Sequence, residues 1–216
     1  MYYRDDFLQK MQRKFGKLAI QNLMMYIVGA MAVVFAATLA APAVDIIGMF
    51  IFDTAAIMQG QVWRVITFIF IPPNLSLFFI IFALYLYWLF GSALEGQWGS
   101  FRFNAFYLCG IIGTIIAGLI TGYATNFYLN LSLMLAFAAL FPNFEIRLFF
   151  ILPVKIKWLA YINLAFLAFD FITSSWPLRL ALVASLLNLV LFFGKDFIAR
   201  INNKRRKAEW NRTYRR

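Results

Sequence analysis

Several polar side chains sit inside long apolar stretches of this chain. They are Ser132, Ser185, Asn130, Asn163 and Asn188. A serine becomes a nucleophile when a neighbouring base takes its proton, and histidine is the commonest such base at neutral pH. The chain contains no histidine. Lysine serves as the base in some hydrolases, but Lys155 and Lys157 are expected at a membrane edge, away from Ser132. Ser132 is therefore a weak candidate nucleophile with no base to activate it. The asparagines are expected to hydrogen-bond between helices, at roughly 0.6–2 kcal/mol each. In the functional alternative, Asn130, Ser185 and Asn188 line a polar cavity that contacts client helices. Metal chemistry is not expected, because the single cysteine, Cys109, has no ligand pattern around it. It reads as a small core residue, and no cofactor is expected.

These side chains need helices to position them, and the composition says that the helices cross a membrane. Of the 216 residues, 63% are hydrophobic, against about half in a soluble domain. Only 13% are charged, and the mean hydropathy is +0.77. A water-soluble core of this size has no room for that much apolar surface. Six runs approach the roughly 20 residues of a span: about 23–41, 75–94, 103–121, 127–141, 158–172 and 178–194. The fourth is short. The expected fold is an all-α bundle of six transmembrane helices.

Three parts follow: a cytoplasmic amphipathic segment over residues 1–22, a membrane domain over 23–194, and a basic tail over 195–216. Within the first, Phe7, Leu8, Met11 and Phe15 fall at helical spacing among basic residues, as in a helix lying on a membrane surface. The long connection of about 42–74 is too apolar for an ordinary loop, and Pro72 and Pro73 break any helix at its end. It reads as short helices in the outer interface.

Charge tests the topology. With the N-terminus inside and six spans, 18 of the 20 Lys and Arg residues lie on the cytoplasmic side, leaving only Arg64 and Arg179 outside. The net charge of +11 is thus a topology signal, and nucleic acid is not an expected partner. The expected partners are the lipid bilayer, transmembrane segments of client proteins, and anionic lipids through the tail, whose basic residues run from Lys195 to Arg216. The expected location is multi-pass, in a bacterial plasma membrane.

Three local patterns are unusual for membrane spans. Trp63-Arg64 lies in the outer connection, and a buried arginine there requires backbone carbonyls as partners. Leu94-Glu95 is followed by Trp98-Gly99-Ser100-Phe101-Arg102-Phe103 and Phe106-Tyr107. Glu95 is expected to accept bonds from the backbone at the start of the third span. Leu140-Phe141-Pro142-Asn143 is followed by Pro153-Val154-Lys155-Ile156-Lys157-Trp158, where proline ends the fourth helix and basic and aromatic residues mark the interface. Two small-residue faces, Gly118 with Gly122 and Ala181 with Ser185, allow close helix packing. Asp170 is placed to cap a helix or to pair with Arg179.

In this order and spacing the three patterns resemble the rhomboid superfamily over about 55–194. The resemblance implies a six-span bundle with both termini cytoplasmic. It also implies a scaffold built on Trp63, Arg64, Glu95, Trp98, Gly99, Arg102, Pro142, Asn143, Pro153, Lys155, Lys157 and Trp158. Rhomboid proteases cut peptide bonds within the membrane, using a serine of a Gly-x-Ser-Gly pattern on the fourth span and a histidine on the sixth. Here the serine position falls near Phe127 and the histidine position near Val183 or Ala184. The expected function is a catalytically inactive rhomboid-like protein that binds transmembrane clients in membrane-protein quality control or trafficking. One alternative is a rhomboid-family intramembrane serine protease with a non-standard catalytic arrangement. The other, a small transporter or channel, would want buried charge along a pore, which only Glu95 and Asp170 approach.

Overall fold

The structure is a computed structural model that describes residues 7–73, 76–148 and 152–173, with residues 176, 179, 182 and 183. Most of the expected sixth span, the basic tail, and Ser185 and Asn188 lie outside the described residues.

Apolar runs become helices where their length allows. Among the described residues, four helices are long and apolar enough to cross a membrane: α2 (Leu23–Ala40), α6 (Leu77–Trp98), α7 (Ser100–Thr121) and α9 (Ile156–Thr173). A shorter apolar helix, α8 (Phe127–Leu140), stands between α7 and α9. At 1.5 Å per residue, its 14 residues extend only about 21 Å. Before α2 lies the short helix α1 (Phe7–Phe15), carrying Met11 and Phe15 as exposed apolar side chains.

Each boundary has a local cause. Gly99 alone separates α6 from α7, at φ 79 and ψ 155, a region that side chains with a Cβ avoid. Gly122 ends α7 in the left-handed conformation at φ 86. This corrects its expected role beside Gly118 on a packing face: the glycine is there to turn the chain. At the end of α8, Pro142 forces Phe141 out of helical geometry, to φ −122 and ψ 57.

The long connection between α2 and α6 contains three short helices, α3 (Ile46–Phe50), α4 (Thr54–Met58) and α5 (Arg64–Thr67), as the proline and glycine placement predicts. Asp45 caps α3 by accepting from the Gly48 N–H, and Asp53 caps α4 by accepting from Ala55 and Ala56. Two antiparallel ladders were not expected. The first pairs β1 (Phe52–Asp53) with β2 (Tyr123–Ala124), so the connection is stitched to the turn after α7. The second pairs β3 (Glu145–Leu148) with β4 (Leu152–Lys155), between α8 and α9.

The spans alternate in direction around a core of Met24, Met31, Leu94, Phe103, Phe106, Tyr107, Leu133 and Phe137, all essentially buried. α2 lies against α6 closely enough that a Cβ on Gly91 would collide with Met24. Phe90 of α6 stacks on Phe137 of α8 at 4.7 Å between centroids. Cys109 is exposed on α7, contrary to its reading as a core residue. Helical phase explains it: Phe103, Phe106, Tyr107 and Gly110 take the inner face, and Leu108 and Cys109 take the outer one.

Candidate functional site

The two ends of the bundle are chemically distinct. At one end the start of α2, the end of α6 and the start of α7 converge on Glu95. Its Oε1 accepts from the Asn22 N–H at 2.9 Å and from the Ser100 hydroxyl at 2.6 Å. The expected backbone partner at the start of the third span is therefore corrected. That partner is a side-chain hydroxyl, and the backbone donor comes from the first span instead. Asn22 adopts a left-handed conformation at φ 54, which leaves its N–H outside the helix and in need of an acceptor. Asn104 ties the same end further, donating to the Ile20 carbonyl at 3.1 Å. Trp98 meets Phe106 edge-on at 5.5 Å, and Arg102 is half-buried nearby on α7.

The β3–β4 hairpin stands at this end as well, because α8 runs back toward the end of α6. Phe137 of α8 reaches Phe144, just before β3, at 5.3 Å. Pro142 and Asn143 are exposed in the turn after α8. Pro153 opposes Arg147 in the ladder, a place open to proline because a two-stranded sheet has only edges. Lys155 pairs with Glu145 at 3.8 Å, and Lys157 lies 5.7 Å over the ring of the exposed Trp158.

The opposite end holds the outer connection. Arg64 is only 9% exposed. Its Nη1 donates to the carbonyls of Gly48 at 2.6 Å and Ile51 at 2.9 Å, and its Nε donates to Gln61 Oε1 at 2.7 Å. The neighbouring Trp63 Nε1 donates to the Met49 carbonyl, and the Thr67 hydroxyl to the Phe50 carbonyl. Four consecutive carbonyls, 48 to 51, thus receive side-chain donors from around α5. They are the carbonyls that the end of a short helix leaves without intrahelical partners. This is the physical content of the Trp-Arg pair: it caps α3 from outside.

Asn126, which the sequence reading passed over, is the second tie. It is 6% exposed, and its Nδ2 donates to the carbonyls of Ile69 at 2.9 Å and Ile71 at 2.8 Å. An asparagine just before an apolar run is a helix-start signal. Here its side chain caps nothing on α8 and instead holds the connection against it. A third tie runs from Thr54, whose hydroxyl donates to Gly118 and whose N–H donates to Gly122. Gly118 permits this approach, since a Cβ there would stand 2.7 Å from the Phe52 ring.

The candidate nucleophile is not brought to a base. Ser132 is 3% exposed, and its hydroxyl donates to the Leu129 carbonyl of its own helix at 2.7 Å. Phe127, where the resemblance puts the nucleophile, is the first residue of α8 and is 59% exposed. Val183, beside the expected histidine position, is exposed, and Ala184 lies outside the described residues. Asn163 donates to the Leu159 carbonyl at 2.9 Å and meets Met134 Sδ of α8 at 3.8 Å. The Oδ1 of Asn130 finds no hydrogen-bond partner among the described residues, so the expected interhelical bond is not seen for that atom. Arg179 donates to the Ile172 carbonyl at 3.0 Å and lies over the rings of Phe171 and Trp176. Among the described residues no cluster of His, Cys, Asp and Glu side chains could hold a metal ion.

The family model of the Rhomboid domain matches residues 59–191, more than half of the chain. The chain belongs to the rhomboid family. No curated protein matches it. The matched region takes in Arg64 and α5, Glu95 with α6 and α7, and Asn126 and Phe127; α2, α3 and α4 precede it. Together with the apolar helices, it makes this rhomboid an integral membrane protein.

Proposed function

We propose that this rhomboid binds transmembrane segments of other membrane proteins without cutting them, in their quality control or trafficking. The observation that carries the reading is the residue at the start of α8. An exposed phenylalanine, Phe127, begins α8, near the position where the resemblance puts the serine of the family's proteases. The chain has no histidine to serve as a base. The hydroxyl of Ser132, five residues further on, is buried and already donated within its helix.

The remaining features fit a client-binding scaffold. The short α8 and the short helices of the outer connection disturb the bilayer locally, which lowers the barrier for a client helix to enter or leave. The apolar run of about 178–194 supplies a sixth span, which returns the tail to the N-terminal side. The excess of Lys and Arg at the Glu95 end makes that side cytoplasmic, in a bacterial plasma membrane. Ser185 and Asn188, outside the described residues, are the polar positions proposed to meet clients; Asn130, only 4% exposed, is instead held inside the bundle.

The purified protein is to be incubated with a model transmembrane substrate and with a serine-reactive fluorophosphonate. Neither cleavage nor stoichiometric labelling is expected. Cleavage that disappears in Ser132→Ala would overturn the reading in favour of a protease with an unusual catalytic arrangement. Photocrosslinkers at Trp63 and Asn188 should capture transmembrane clients from reconstituted membranes.

A further inference from the structure

At the Glu95 end, basic side chains recur on elements far apart in sequence. Lys14 and Lys17 are exposed on and just after α1, and Arg102 is at the start of α7. Arg147 and Lys155 are on the β3–β4 hairpin, and Lys157 follows in the first turn of α9. Of these, only Lys155 has an ion-pair partner among the described residues, Glu145. The other acid of this end among the described residues, Glu95, is consumed by Asn22 and Ser100. The opposite end has the reverse balance, with Asp45, Asp53 and Asp170 against Arg64 and Arg179.

Apolar side chains accompany the basic ones. Phe15 is 39% exposed and has Lys14 Nζ 5.4 Å over its ring, while Leu18 is 77% exposed. On the hairpin side, Trp158 is 57% exposed beside Lys157. Only residues 19–22 separate the short helical turn after α1 from α2, and Asn104 holds Ile20 to α7. α1 is thereby kept at the level where the spans begin. A soluble acidic protein would match the charge and leave Phe15, Leu18 and Trp158 in water. A leaflet of anionic lipid matches both, with acyl chains for the apolar groups and phosphates for the basic ones.

We propose that α1 and the β3–β4 hairpin with Lys157 and Trp158 form a rim that binds the phosphate headgroups of anionic phospholipid, independently of the basic tail. Near a charged membrane surface each basic side chain strengthens association about fivefold. The rim therefore concentrates anionic lipid around this end of the bundle.

The test uses the full chain in nanodiscs of phosphatidylcholine with phosphatidylglycerol. Spin-labelled versions of each lipid report the fraction held at the protein surface. Phosphatidylglycerol should be preferred severalfold. The preference should fall toward one in a variant carrying Lys14→Gln, Lys17→Gln, Arg147→Gln and Lys157→Gln, and should weaken in high salt. Should that variant fail to fold, Lys14→Glu with Lys17→Glu alone, both exposed, should still lower it. Truncation after Gly194 should leave most of the preference in place. Equal association of both lipids, or a preference that vanishes with the tail and survives the four substitutions, would overturn the proposal. Displacement of the labelled lipid by inorganic phosphate would overturn it too, by making free anion the ligand. Displacement by polyglutamate would reassign the face to an acidic protein.

Discussion

Replacing Asn126 with aspartate separates hydrogen bonding from packing as the force that holds the outer connection. The Asn126 amide donates to two carbonyls, of Ile69 and Ile71, and all three residues are less than 9% exposed. A net bond contributes about 0.5–1.5 kcal/mol, and a buried carbonyl left alone costs about 1–3 kcal/mol. Bonds between helices in bilayers fall at the low end of such ranges. Asn126→Ala should therefore destabilise by roughly 2–3 kcal/mol. Aspartate has the same shape but, when ionised, no hydrogen to donate, and it sets an oxygen against two carbonyl oxygens. Asn126→Asp should cost more than alanine, roughly 3–5 kcal/mol by the same reasoning.

If shape were what mattered, the order would reverse, since aspartate fills the site and alanine leaves a hole. Equilibrium unfolding in bicelles gives the order directly. Amide hydrogen exchange over residues 68–71 should rise in both variants while exchange in the core of α7 stays slow. An Asn126→Asp protein more stable than Asn126→Ala would refute the donor argument.

Other expected outcomes follow from single contacts. Glu95→Ala should cost roughly 2–4 kcal/mol, because it strands the Asn22 N–H and the Ser100 hydroxyl. In a double-mutant cycle, Ser100→Ala should add little once Glu95 is gone. Gly118→Ala should destabilise by about 1–3 kcal/mol in thermal unfolding, although alanine favours helices, because its Cβ meets the Phe52 ring at 2.7 Å and Ala124 at 3.0 Å. Gly99→Ala meets no neighbouring atom and should still cost about 1–3 kcal/mol, from φ 79 alone. A neutral Gly99→Ala would mean that the α6–α7 turn relaxes freely.

The sequence reading located the described long helices well, because an apolar run long enough for a bilayer has few other uses. The first run, read as 23–41, is the helix Leu23–Ala40. It set the junction of α6 and α7 too wide, ending one run at Leu94 and starting the next at Phe103. The helix continues through Glu95 and Gly96 to Trp98, since Glu95 finds its partners inside the bundle. The demand of Arg64 for carbonyls was legible from its charge, but which carbonyls depended on the fold of α3. The β1–β2 pairing and the reach of Asn126 to Ile69 and Ile71 were not legible. Each joins residues more than 50 positions apart through one or two bonds, and no local period records that.

The distribution of these bonds bears on what the protein does. Arg64, Trp63 and Thr67 hold one connection together from within, and Thr54 and Asn126 seat it on α7 and α8, beside the exposed Phe127. In a protease a rigid shelf there would align a nucleophile with a strand of substrate, because small displacements of reacting groups cost large factors in rate. In the reading proposed above, the ring of Phe127 takes the place of that nucleophile. A rigid shelf beside an apolar ring still presents a constant shape to a passing helix, and shape with dispersion contacts is what drives helix association inside a bilayer. Under the function proposed above, that rigidity serves to select clients. The donors at positions 64 and 126 should accordingly matter for client capture even though neither touches a reacting atom. Asn126→Ala should lower crosslinking yield at Trp63 under conditions where the bundle itself remains folded.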